Sequence, residues 1–364
     1  MSPPLLDLPC ITVRGSARQL GDQHGAALRS EIREFVPMRL HAALQWGDSF
    51  GVTTAKLVDA GRQCLAVYRA WHPAGYAEHA AIARAAGVDS GELYTAANMT
   101  DIRDVVAFGG ASPADAEGCS AAILPAGLTR ERQIIAAQTW DLNPQDLDFV
   151  VAVHRLPDTA PETWSVTCSG CLSLVGMNAA SLAVGTTNVK TWGSRPGVGY
   201  MGILHRMLSY RRFSDAARVC QAAPRAAAHT YWLADPRQAA EWETTAWSAR
   251  RRDLQATALL RTNHCLQPQH LIQQGEATTP SSLARLARMT QVVDQRKNHD
   301  IDSLRAMFAD RSDGVDSINR LPEDAQGTTT NSAVVCVPQT RALWACRGPA
   351  DRGRWQQLRF ETLG

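Results

Sequence analysis

Apolar positions along the chain change their period once, and the change divides the sequence. Through the first 118 residues the spacing is helical. A Gly15-Ser16-Ala17-Arg18 start, with Ser16 as N-cap, leads into Leu20, Leu28, Ile32, Phe35, Val36 and Leu40 at near-helical intervals. Two further helical stretches are predicted at 55–71 and 76–86. Val88-Asp89-Ser90-Gly91-Glu92 is another helix start, its acids placed early, where they complement the positive end of the helix dipole.

After Cys119 the pattern shortens. Runs of β-branched and apolar residues occur at 149–153, 164–167, 182–184, 231–233, 256–260, 334–337 and 343–345. Breaks such as Asp235-Pro236-Arg237 and Pro338-Gln339-Thr340 have turn chemistry, so neighbouring runs are expected to pair as antiparallel hairpins. Helices are expected among them at 201–210, 214–222, 281–295 and 301–308. The fold class is therefore α+β, an antiparallel sheet with flanking helices. Ala111-Ser112-Pro113-Ala114-Asp115 is loop chemistry, placed where the helical part ends.

Composition narrows the partners. A chain of 364 residues with 45% hydrophobic content can bury a substantial core, in one large domain or two. The net charge is only +2, and the longest basic run, Arg250-Arg251-Arg252, ends at Asp253. That balance argues against nucleic acid or a membrane surface as partner. The N-terminus shows no basic region followed by an apolar stretch, and no segment approaches the ~20 apolar residues that span a bilayer. The nine cysteines are odd in number and dispersed. Reduced thiols and a cytoplasmic location are expected.

Chemistry centres on Cys119. It follows Gly118 at a loop-to-strand junction and opens the run Ser120-Ala121-Ala122-Ile123-Leu124. Glycine leaves its carbonyl unshielded and tolerates strained backbone, so the Gly118–Cys119 bond is suited to attack by the cysteine sulfur. Cleavage would give Cys119 a free α-amine of unperturbed pKa about 7.7–8.0, a general base at neutral pH. Nucleophile and base would then belong to one residue. Alone, the dipeptide does not separate a nucleophile from a small buried thiol.

Further motifs separate them. They are Gln138-Thr139-Trp140-Asp141, the stretch Gly176-Met177-Asn178 through Leu182-Ala183-Val184, and Thr262-Asn263-His264-Cys265-Leu266. Near the start stand Ile11-Thr12-Val13-Arg14-Gly15-Ser16 and Gly21-Asp22-Gln23-His24-Gly25. Asn98-Met99-Thr100-Asp101-Ile102 precedes the cut, and Arg347-Gly348-Pro349 lies near the end. In this order, over nearly the whole chain, they resemble the acyl-coenzyme A:isopenicillin N acyltransferase family, self-processing cysteine hydrolases related to penicillin V acylase, bile salt hydrolase and acid ceramidase.

The resemblance implies a four-layer αββα sandwich of the N-terminal-nucleophile hydrolase type. It also implies autocleavage into segments 1–118 and 119–364, together forming one folded domain, with Cys119 as the new N-terminal nucleophile. Asp141 matches the aspartate that hydrogen-bonds and orients the nucleophile and its α-amine. Asn263 matches the asparagine whose side-chain amide donates to the oxyanion, a donor worth roughly 3–4 kcal/mol in the transition state. Asn188, shortly after Leu182-Ala183-Val184, has a placement similar to the second oxyanion donor of bile salt hydrolases. Two departures weigh against penicillin as substrate. The penicillin-forming members carry a threonine where this chain has Ala121, and a late Ser-Arg pair where it has Ala325-Gln326 before Gly327-Thr328-Thr329. Both remove hydroxyl or cationic groups from the presumed pocket.

Other candidates are weaker. Cys168-Ser169-Gly170-Cys171 is a lone C-x-x-C without the second pair a zinc site needs, beside a strand rather than before a helix. The ten histidines lack metal-ligand spacing, and His264 is expected to support its loop. No metal and no cofactor are expected. The reading is an amidohydrolase that cleaves a small N-acyl compound through a thioester. Its alternatives are an acyltransferase using the same cysteine, an inactive binding protein on the same scaffold, and a thiol-redox protein using Cys168 and Cys171. The expected partners are the N-acyl substrate and the chain's own two segments; assembly into a homo-oligomer stays open.

Overall fold

The computed structural model describes residues 5–47, 51–107, 118–275, 277–324 and 327–361. A strand, β1 (Cys10–Gly15), precedes a helical series: α1 (Ala17–Ala27), α2 (Arg29–Gly47), α3 (Thr54–Trp71), α4 (Pro73–Ala86), α5 (Ser90–Ala97) and α6 (Met99–Ala107). Ser16 caps α1 as expected, in a capping box with Gln19. The run expected to continue to Leu40 breaks at Leu28 into two helices. Within the second start signal it is Asp89 that caps α5, by accepting the Gly91 and Glu92 N–H groups. The loop at Ala111–Asp115 falls outside the described residues.

Strands then dominate: β2 (Gly118–Leu124), β3 (Ile135–Leu142), β4 (Val150–Pro157), β5 (Thr163–Cys168), β6 (Val175–Asn178) and β7 (Ala183–Asn188). After α7 (Tyr200–Leu208) and α8 (Phe213–Ala222) come β8 (His229–Ala234), β9 (Ala239–Thr244), β10 (Ala249–Asp253) and β11 (Leu259–Arg261). The short α9 (Pro268–Leu271), then α10 (Pro280–Gln295) and α11 (Ile301–Phe308), lead to β12 (Thr329–Val337), β13 (Ala342–Arg347) and β14 (Gln356–Leu358).

One sheet has eight strands in the order β1-β4-β5-β6-β7-β8-β9-β10; the other has six, β11-β2-β3-β12-β13-β14. Pairing is antiparallel except for β1, which lies parallel to β4 from Cys10–Ala152 to Gly15–Pro157. The N-terminal part is thus not wholly helical, as its periodicity suggests, but gives an edge strand to the larger sheet. The hairpins at Asp235–Arg237 and Pro338–Thr340 form as expected.

The sheets stack face to face through β2 against β7 and β12 against β6. Helices α7 and α8 cover the larger sheet, while α10 and α11 cover the smaller. This is a four-layer αββα sandwich. Alternation along β2 serves two cores: Cys119, Ala121 and Ile123 enter the one between the sheets, and Ala122 and Leu124 enter the one under α10 and α11. Among the described residues no helix is long and apolar enough to cross a membrane.

Candidate active site

Strand register brings the first two site residues together. Gly118 lies opposite Asp141, and Cys119 opposite Trp140, across β2 and β3. Side-chain alternation then sends Cys119 into the space between the sheets and turns Gly118 and Ser120 toward α10. Asn263 follows β11, which pairs with β2 through Arg261 and Ala121. Asn188 closes β7 in the opposite sheet. Both sheets therefore contribute.

Hydrogen bonds join these residues into one site. The Cys119 backbone N–H donates to Asn263 Oδ1 at 2.9 Å, and Asn263 Nδ2 donates to the Asn188 carbonyl at 3.0 Å. The Asn263 N–H donates to Ser282 Oγ at 2.9 Å, and His264 Nδ1 lies 2.8 Å from the same hydroxyl. His264 thus supports the loop, as expected. An amide nitrogen carries two hydrogens, so Asn263 keeps a second donor besides the bond to Asn188.

Cys119, Asp141 and Asn188 line a small cavity with Thr100, Trp140, Tyr200 and His229. Its free space is about 20 Å³, room for about one water molecule. Burial pushes the Cys119 thiol up to about 12, and the charge of Asp141 adds to the effect. Backbone hydrogen bonding at Asp141 and Asn188 and the charge of Arg285 pull the other way without offsetting it. The thiol is therefore neutral at physiological pH, and a nucleophilic role for it would require a base.

Asp141 meets the Cys119 thiol through its backbone and its charge, and the two residues line the same cavity. Both carboxylate oxygens are buried without a well-directed hydrogen bond. The carboxylate lies against Gly118, where an added Cβ would stand 3.0 Å from Asp141 Oδ2 and 3.0 Å from Arg320 Nη1. Burial raises its pKa, opposed by the Arg320 and Arg285 guanidiniums and the Thr330 and Thr139 hydroxyls. Gly118 has no left-handed backbone angle. What its surroundings impose on it is close approach.

The arginines are what the sequence reading missed. The departure at Ala325-Gln326 lies outside the described residues. Two cations stand beside Gly118, Asp141 and Cys119. Arg320 faces Asp141 and Gly118 from the segment before β12, and Arg285 reaches in from α10. Arg285 carried a readable signal: with Met289 and Val293 it falls on one buried stripe at four-residue spacing. An arginine in an apolar stripe needs a reason. Thr100, Tyr200 and His229 were also unread as cavity wall; His229 Nε2 lies 2.5 Å from Asp101 Oδ1, and its ring stacks on Tyr200.

The C-x-x-C thiols are both fully buried and free. Burial pushes Cys171 up to about 12 and Cys168 well above its ordinary value, so neither has the accessible thiolate of a redox pair. Among the described residues no three His, Cys, Asp or Glu side chains gather as a metal site.

Two stacked sheets flanked by helices, with a buried cysteine near the head of an interior strand, define an α+β sandwich protein. The chain belongs to the family described as acyl-coenzyme A:6-aminopenicillanic acid acyl-transferase, which matches residues 128–350, more than half its length. The match begins after Cys119 and contains Asp141, Asn188, Asn263, Arg285 and Arg320. The family comprises acyltransferases and amidases acting on small acyl and amide compounds.

Among solved structures the chain is similar to an N-acylethanolamine-hydrolyzing acid amidase ortholog from Caenorhabditis elegans, at 12% identity and a TM-score of 0.46, over 60% of this chain and 93% of that one. It is similar to penicillin V acylase from Agrobacterium tumefaciens at 13% identity and a TM-score of 0.44, over 66% and 86%. A mutant form of the conjugated bile acid hydrolase from Clostridium perfringens aligns at 9% identity and a TM-score of 0.42, over 67% and 97%. No curated protein matches the sequence.

Proposed function

We propose that the chain is a self-processing cysteine amidohydrolase that cleaves the amide bond of a small N-acyl compound. The observation that carries this reading is the Cys119 N–H held at 2.9 Å by Asn263 Oδ1. It fixes the atom that would become the α-amine beside the amide that would serve the oxyanion.

Processing begins with the Cys119 sulfur adding to the Gly118 carbonyl. The C–N bond breaks, the nitrogen takes the thiol proton, and Gly118 is left as a thioester. Water opens that ester, releasing the Gly118 carboxylate and restoring the thiol. The two segments, 1–118 and 119–364, stay together as one folded domain. In turnover the α-amine accepts the thiol proton as sulfur attacks the acyl carbonyl, and Asn263 Nδ2 donates to the oxyanion, with Asn188 contributing a second donor. The amine returns the proton to the leaving nitrogen, and water hydrolyses the acyl-thioester. Departure of Gly118 exposes Asp141, whose carboxylate then faces the new ammonium or amine. Water as acceptor accords with a cavity whose free space is about that of one water molecule.

Intact-mass analysis of purified protein tests the reading. A cut between residues 118 and 119, and acyl mass on Cys119 after quenched turnover of N-acyl 4-nitroanilides, is expected. Active protein that remains uncut, or acyl label on any other residue, overturns it.

A further inference from the structure

Asn263 can serve an oxyanion only if its amide nitrogen, not its oxygen, faces the cavity. The two ends of an amide have nearly the same shape, so packing alone hardly distinguishes them. Their hydrogen-bond partners do. Asn263 Oδ1 accepts from the Cys119 N–H at 2.9 Å and from Arg285 Nη2 at 2.8 Å. A flipped amide would set its NH2 against two donors, one of them a buried cation.

The same guanidinium grips the strand. Arg285 Nη1 donates to the Cys119 carbonyl at 2.5 Å and to Ser120 Oγ at 3.1 Å. Its Nε donates to Ser281 Oγ at 3.2 Å, one helical turn earlier in α10. The side chain is wholly buried. A planar fork spanning a carbonyl, a hydroxyl and an amide oxygen is what an ammonium cannot reproduce. Placing a second cation beside Arg320 is electrostatically unfavourable, and Arg285 is pulled down to about 10, chiefly by burial and then by Arg320. Asp141 offsets part of that cost as a counter-charge, and the hydrogen bonds to Cys119, Ser120 and Asn263 aim the guanidinium at the site.

We propose that Arg285 is a positioning residue that locks the Asn263 amide with its oxygen on the Cys119 N–H and its nitrogen toward Asn188, and holds Cys119 in register with it. The inference rests on the proposed function above and adds the group that sets its geometry.

The test uses the full chain made by cell-free translation, with self-cleavage followed by mass after a chase, and the mature enzyme assayed on N-acyl 4-nitroanilides. Arg285→Lys is expected to slow self-cleavage and kcat by about tenfold or more with KM nearly unchanged. Arg285→Ala is expected to be slower still and partly rescued by millimolar guanidinium. Acting through Asn263, Arg285→Lys should add little to the loss in Asn263→Ala. A multiplicative double variant, or unchanged cleavage and turnover in Arg285→Lys, overturns the inference. If Arg285→Ala does not fold, the Lys variant and the cycle still decide. The wild-type chain run in parallel separates the two claims. If it is uncut and unlabelled, the nucleophile reading falls; if it is cut and labelled while Arg285→Lys behaves normally, only the Arg285 inference falls.

Discussion

Gly118 faces Asp141 across the β2–β3 register, so closely that a Cβ on the glycine would lie 3.0 Å from the carboxylate oxygen Oδ2. Arg320 Nη1 would be equally near. The residue before the proposed cut is thus pressed between a buried anion and a buried cation. Gly118→Ala should separate them by a few tenths of an ångström and disturb the bond to be broken. Such overpacking typically costs about 1–3 kcal/mol. Self-cleavage, timed by intact mass, is expected to slow at least tenfold while the overall fold persists by circular dichroism. An unchanged cleavage rate would show that the close approach has no part in processing.

Asn263→Ala removes both ends of one side chain, the acceptor for the Cys119 N–H and the donor to the Asn188 carbonyl, whose second hydrogen is the proposed oxyanion donor. Loss of an oxyanion donor lowers turnover by roughly 10²–10³-fold. The variant should therefore lose kcat by that factor on N-acyl 4-nitroanilides, with KM little changed. Processing should slow as well. Near-normal turnover would remove Asn263 from the catalytic set.

Asp141→Asn tests the anion beneath Gly118. The carboxylate opposes the charges of Arg320 and Arg285, both buried. Removing it leaves those guanidiniums without this counter-charge, and breaking a buried pair costs about 3–5 kcal/mol. The expected outcome is a lower thermal midpoint together with accumulation of uncut chain. A variant that is fully processed and fully active would assign Asp141 a structural role only.

Much of this arrangement was legible before the structure. Apolar periodicity located the helices at 281–295 and 301–308 to within a residue, because α10 and α11 are amphipathic and cover one sheet face. The ordered motifs led to Cys119, Asp141, Asn188 and Asn263, which the fold gathers. Periodicity failed where it had no contrast to report. Strand β3 reads Ile-Ala-Ala-Gln-Thr-Trp-Asp-Leu, buried on both faces and short of β-branched residues, so nothing alternates. Strand β10 is Ala-Arg-Arg-Arg-Asp, which looks like a solvated charge run and is a charged sheet edge. The arginines of the site were hidden for another reason. Arg285 acts on Cys119, 166 positions away along the chain, and Arg320 reaches Gly118 from farther still; only sheet closure creates those contacts.

The loop that carries Asn263 depends on a buried carboxylate, and this gives a prediction in pH. Glu243 on β9 accepts from the Leu266 N–H at 2.7 Å and the Gln267 N–H at 3.1 Å. It also pairs with Arg261 Nη1 at 2.6 Å and His270 Nδ1 at 3.0 Å. His270 and Arg261, with those backbone donors, outweigh burial and hold its pKa down to about 2, from 4.5. A carboxyl depressed in the folded state contributes stability that is complete above its unfolded pKa and is lost as pH falls through the folded value. The relevant window runs from pH 4.5 down to about 2. Buried His24 and His79, held down to about 3 and about 4, also disfavour folding in acid, so the wild-type curve alone does not isolate Glu243. The comparison with Glu243→Gln does. At neutral pH the variant should melt several degrees lower and turn over more slowly, because the 262–267 loop loses its anchor. Between pH 4.5 and 2 the wild-type midpoint should fall more steeply, so that the two curves converge in acid. Parallel curves across that window would show that Glu243 contributes nothing through its charge and that the loop is held by Ser282 and its neighbours instead.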